Sequence, residues 1–152
     1  ITTLRYTLNP NGGGETVVFS FVDLDGDGGM EPTIQGGTLL ADQSYMGSLE
    51  LLNQSESPEE DITEEIEEED LEHQFFFETD IAGLSISYAD MDSEGNPLGL
   101  ATTIQTGSAG SGELTVILRH EPNKSGQGVS DGDITNAGGE TDIEVTFSVE
   151  VQ

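Results

Sequence analysis

The segment Asp142-Ile143-Glu144-Val145-Thr146-Phe147-Ser148-Val149-Glu150-Val151 places an apolar residue at every odd position from Ile143 onward and a polar one at every even position. In an extended chain successive side chains point to opposite faces, so such a segment has one face to bury and one to leave in water. A helix would scatter the same residues around its circumference. The segment therefore reads as a half-buried strand. Shorter alternating or β-rich runs predict further strands at Thr3 to Leu8, Thr16 to Phe21, Ser48 to Leu52, Phe75 to Phe77, Leu84 to Tyr88, Thr102 to Thr106 and Glu113 to His120. Turn-forming clusters separate them, among them Asn11-Gly12-Gly13-Gly14, Glu94-Gly95-Asn96-Pro97 and Gly138-Gly139. With 152 residues and 20 Gly, the chain is expected to form one all-β domain over 1–152. The expected architecture is an immunoglobulin-like antiparallel Greek-key sandwich.

One segment departs from the alternation. Ser57-Pro58-Glu59-Glu60 offers a Ser at an N-cap, a Pro at the first helical position and a Glu three residues after the cap. Ile62 and Ile66, with Leu71 beyond them, supply an apolar stripe, while Glu64, Glu65, Glu67, Glu68, Glu69, Asp70 and Glu72 surround it. The prediction is a short acidic helix over about 58–72, inserted between strands. Its like charges repel, so folding alone gives little reason for it. Its field attracts cations, or a basic patch on a partner protein docking at Glu65, Glu68 and Glu69.

The formal net charge is -28, from three Lys plus Arg against 31 Asp plus Glu. A surface so acidic repels phosphate backbones, which excludes nucleic acid as a partner. It also repels itself, and either divalent cations or a salty medium relieves the strain. The chain has no Cys, so disulfides, thiol catalysis and thiolate metal sites are excluded. With two His and no nucleophile-base-orienter set, no enzymatic activity is expected. No apolar run approaches the length of a membrane-spanning helix. The sequence opens at Ile1, as expected of a trimmed chain whose membrane anchor, if any, lay upstream.

Two constellations suit cations. Asp23, Asp25 and Asp27 alternate before Gly28-Gly29, and Glu31 follows, which lets several carboxylate oxygens turn toward one hard cation such as calcium. The twelfth position of that loop is Ile34, where an EF-hand has its bidentate Glu. Asp90, Asp92 and Glu94-Gly95 echo the pattern but read first as a turn, and Asp131-Gly132-Asp133 reads as loop. The second constellation is Glu69, Glu72, His73 and His120. If the strands that follow His73 and precede His120 are antiparallel neighbours, the two imidazoles meet at the helix-covered end, a donor set suited to zinc or copper.

Three stretches carry a family resemblance: Val17-Val18-Phe19-Ser20-Phe21-Val22-Asp23-Leu24-Asp25-Gly26-Asp27-Gly28-Gly29, then Glu60-Asp61-Ile62-Thr63-Glu64-Glu65-Ile66-Glu67-Glu68-Glu69, and Gly132-Asp133-Ile134-Thr135-Asn136-Ala137-Gly138-Gly139-Glu140-Thr141-Asp142. In these the chain resembles small uncharacterised outer-membrane lipoproteins of the Bacteroidetes, often given a periplasmic-binding label. The resemblance implies a lipid-anchored, extracytoplasmic domain at the cell outer membrane, beside a TonB-dependent transporter. It would act there as an accessory or cation-binding subunit of an uptake complex. The alternative is a structural or adhesive immunoglobulin-like module that calcium rigidifies.

Overall fold

The computed structural model describes residues 1–26 and 28–152. In chain order its elements are β1 (Thr3–Pro10), β2 (Val17–Val22), β3 (Thr33–Gln35), β4 (Gly37–Leu39), β5 (Ser44–Asn53), β6 (Glu60–Asp61), α1 (Ile62–Glu68), β7 (His73–Thr79), β8 (Ser85–Tyr88), β9 (Ala101–Gln105), β10 (Gly110–His120) and β11 (Glu140–Val151). One sheet runs β3-β2-β1-β5-β9-β8, with β6 added to the end of β5, and the other runs β4-β11-β10-β7. Among the described residues the chain is thus all-β with a single short α-helix. Every strand foreseen from alternation is present; β3, β4 and β6 are two or three residues long, too short to show a period.

Parity decides which side chains meet. Leu4, Tyr6 and Leu8 of β1, Leu49 and Leu51 of β5, Leu114, Val116 and Leu118 of β10, and Val145, Phe147, Val149 and Val151 of β11 all enter one core shared by the two sheets. The Tyr6 hydroxyl, wholly buried, is satisfied by Thr102 Oγ1 at 2.6 Å. Phe75 and Phe76 are both fully buried although adjacent, because β7 is covered on both faces. Phe75 enters the main core, whereas Phe76 packs with Ile117, Val129 and Ala137 under the long connection between β10 and β11.

The sheets are not purely antiparallel, as β4 pairs parallel to β11. The cause is a change of sheet without a reversal of direction: β3 pairs with β2 in the first sheet, and β4, one residue later, pairs with β11 in the second. Gly36 sits at this crossing against the Ser148 carbonyl oxygen, and any Cβ there would overlap it.

The helix is shorter than the sequence predicts and starts later. Asp61, not Ser57, is its N-cap, and its Oδ1 accepts from the N–H groups of Thr63 and Glu64 at 2.9 and 3.3 Å. Glu60 and Asp61 are held extended against Asn53 and Leu52, which prevents a start at Pro58. At the other end a 3-10 turn over Asp70–Glu72 leads straight into β7. Ile66 is buried in the main core and Ile62 packs against it, but Leu71 is exposed and anchors nothing. The missing anchor is Thr63, whose hydroxyl accepts from Leu51 N–H at 2.8 Å and donates to Leu51 O at 3.2 Å.

Candidate functional site

The register of β10 and β7 sets His120 opposite His73, two residue pairs beyond Phe75–Leu118 and four beyond Phe77–Val116. Because parity persists along a strand, both imidazoles fall on the face that carries the core. They form its last rung, where the apolar interior ends beneath α1. The rings stack with centroids 4.9 Å apart and planes 8° from parallel. The His73 side chain is 7% exposed and that of His120 38%, so one ring is an inner group and the other a rim group.

Each ring faces a carboxylate. His73 Nδ1 lies 3.1 Å from the main-chain carbonyl of Glu69. A carbonyl oxygen can only accept, so the proton of this bond sits on Nδ1. The Nε2 atom lies 3.7 Å from Asp142 Oδ2. His120 Nε2 lies at the same 3.7 Å from Glu72 Oε2. The Glu121 N–H donates to the Glu72 carbonyl at 2.7 Å, tying the 3-10 turn to the end of β10. Glu121 itself adopts a left-handed φ of 52°. Among the described residues, Glu72, His120 and Glu121 form the group of three whose ligand atoms all lie within 4.8 Å of one another.

Asp142 reaches the site through a bulge. Leu118 pairs with Ile143 and Arg119 with Thr141, so Asp142 is the extra residue between two rungs. A bulge re-aims a side chain that strict alternation would send elsewhere. A groove of about 310 Å³ results, with Ile62, Ile66 and Leu118 along its base and Glu65, Glu69, His73, His120 and Asp142 around it. The basic side chains are engaged elsewhere: Arg5 with Glu50 at 2.7 Å, Arg119 with the Gly138 carbonyl at 3.0 Å and Lys124 with Asp92 at 2.8 Å. Imidazole nitrogens among uncompensated carboxylates make a donor set for borderline first-row divalent cations.

Of the residues singled out in the sequence, His73, His120 and Glu72 come together. Glu69 contributes its carbonyl to His73 and lines the groove with its side chain. Glu65 lines the groove from α1, while Glu68 is exposed on the same helix. Sequence reasoning missed Glu121, although it directly follows His120, and Asp142, whose displacement by a bulge leaves no trace in the alternation.

The Asp23 loop is arranged differently. Asp23 Oδ1 accepts from Gly26 N–H at 2.9 Å and Asp25 Oδ2 from Met30 N–H at 3.0 Å, so each spends an oxygen on the loop's own backbone. Glu31 shares a surface depression with them, and Asp27 lies outside the described residues. Among the described residues, Asp23, Asp25 and Glu31 do not gather three ligand atoms within 4.8 Å. Asp90 and Asp92 are turn staples: Asp90 accepts from the N–H groups of Gly99 and Ala101, Asp92 from those of Glu94 and Asn96. Asp133 caps the 3-10 turn Ile134–Asn136 through the Thr135 N–H.

Compared with known proteins, the chain matches no family model, no curated protein and no solved structure.

Proposed function

We propose that this chain is a non-enzymatic domain that binds a zinc-like or copper-like divalent cation at its histidine-bearing end. The observation that carries the proposal is the rim set Glu72, His120 and Glu121, three ligand groups within 4.8 Å of one another. One imidazole and two carboxylates match the donor preferences of borderline first-row metals better than those of calcium.

The two sheets are read as an immunoglobulin-like sandwich. Support comes from the spatial order β5-β1-β2-β3, in which three consecutive strands are followed by one that returns beside the first. That is Greek-key order, with β4 lying on the return path. The proposed setting is extracytoplasmic, at the outer membrane, as an accessory subunit of an uptake complex; this part rests on the resemblance to outer-membrane lipoproteins alone. The acidic face of α1, with Glu65, Glu68 and Glu69, is the surface offered to a basic patch on a transporter.

Zinc calorimetry at fixed ionic strength tests the metal reading. His120→Ala and Glu121→Gln, both at exposed or half-exposed positions, are each expected to weaken the rim affinity about tenfold or more. Isotherms unchanged from wild type in both variants would remove the basis for the proposal.

A further inference from the structure

We infer that His73 is a positioning residue of the rim site: its buried ring is the flat support that sets the plane of the His120 imidazole and keeps it turned toward Glu72 and Glu121. The inference rests on the metal reading of the rim and adds to it a side chain that holds a ligand without being one.

The first ground is what His120 lacks. A metal-bound imidazole usually has its far ring nitrogen held by a carboxylate, a carbonyl or water, which fixes the orientation of the ring. His120 Nε2 faces Glu72 Oε2 at 3.7 Å, beyond the roughly 3.2 Å limit of a good N–H···O bond. Neither of its ring nitrogens makes a hydrogen bond among the described residues, and the side chain is 38% exposed at the end of β10. Rotation of an imidazole about its last bond is soft, so nothing at these edges decides where the ligand atom points. The constraint comes from the ring face. His73 lies parallel to it within 8°, with centroids 4.9 Å apart. Because the two residues are directly opposed across β7 and β10, this contact is set by the sheet and not by a loop.

The second ground is that His73 is held where His120 is free to turn. Its side chain is 7% exposed, Nδ1 donates to the Glu69 carbonyl at 3.1 Å, and Nε2 pairs with Asp142 Oδ2 at 3.7 Å. Both edges of the ring are thus engaged, one from the end of α1 and the other from the bulge of β11. A ring fixed at both edges keeps its plane, and a planar neighbour lying on it takes the same one. His73 stands outside the group of Glu72, His120 and Glu121 gathered within 4.8 Å, so it acts on the ion only through His120. A ligand whose rotamer is locked by packing is already in the geometry the ion needs.

Zinc calorimetry on the full chain compares wild type with His73→Phe and His73→Leu. Phenylalanine keeps a flat ring, leucine fills the space without one, and both lose the contacts to Glu69 and Asp142. A merely structural role would therefore treat the two variants alike. His73→Phe is expected to bind zinc as wild type does, and His73→Leu about tenfold more weakly. In the zinc-free proteins the ring-current shift of the His120 protons should persist in His73→Phe and vanish in His73→Leu. His73→Val, suited to a strand, serves the same comparison if the leucine variant does not fold. Wild-type affinity in the aliphatic variant would overturn the inference and leave the rim standing. Equal weakening by phenylalanine and leucine would also overturn it, since the nitrogens of His73 and not its face would then matter. A wild-type protein that takes up no zinc would remove the rim site itself, and its support with it.

Discussion

Replacing Lys124 with methionine is expected to destabilise the fold by about 3–5 kcal/mol, the cost of leaving one partner of a buried ion pair without the other. Lys124 Nζ donates to Asp92 Oδ2 at 2.8 Å and to the Asp70 carbonyl at 2.7 Å, and the two side chains are 8% and 0% exposed. One ammonium thus ties the connection after β10 to the 3-10 turn before β7 and to the loop after β8. Asp92 cannot compensate by turning to water, because its Oδ1 already holds the N–H groups of Glu94 and Asn96.

The same pair predicts a pH dependence. Burial works to raise the Asp92 pKa, but the Lys124 hydrogen bond, the two backbone N–H groups and the lysine charge together hold it below the ordinary 3.8. A carboxyl whose folded pKa is depressed contributes stability that is present above its unfolded pKa and is lost as pH falls through the folded value. Urea unfolding of wild type and Lys124→Met should therefore differ most at neutral pH, and the gap should narrow as pH falls, first as the unpaired Asp92 of the variant takes up its proton and then until the depressed wild-type carboxyl does so. A gap that stays open in strong acid, or a loss under about 1 kcal/mol at neutral pH, would show that the pair is not structural.

Gly36→Ala is expected to cost about 3 kcal/mol, at the upper end for overpacking, because the new Cβ meets backbone and not a side chain that can swing away. The atom in its path is the Ser148 carbonyl oxygen on β11, so relief requires β4 to leave the second sheet. Gly110→Ala is the matched control: its Cβ would meet nothing within 4 Å, and its effect should stay within about 0.5 kcal/mol. Equal urea midpoints for the two variants would mean that the crossing at Gly36 is looser than its geometry shows.

The long strands were legible because they alternate, and alternation also carried the most useful inference about the site. The parity of Phe75 and Phe77 and of Leu114 to Leu118 extends to His73 and His120, so antiparallel pairing sufficed to bring the rings together. Features set by distant contacts were hidden. The run from Ser57 to Glu60 satisfies local helix-start rules, yet pairing of Glu60 and Asp61 with the end of β5 overrides them and passes the cap to Asp61. Gly36 looks like any turn glycine until Ser148 is placed beside it. Asp142 reads as part of a regular strand, and only the two-against-one count opposite β10 reveals its displacement. Nothing local marks the left-handed backbone of Glu121, or the burial of a lysine in a loop of Gly and Ser.

Any divalent ion screens a chain of net charge -28, so a rise in stability with added salt says nothing about a site. The decisive measurement is the thermal midpoint in zinc against magnesium at matched ionic strength. Magnesium prefers oxygen ligands and keeps its waters, whereas an imidazole and carboxylate set selects zinc. Zinc at a hundredfold excess over its Kd should add about 2.7 kcal/mol per site, while magnesium should do no more than sodium chloride. Equal shifts from the two ions, both lost in high sodium chloride, would contradict a metal site at the His73–His120 end and reduce its acidity to a solvated surface.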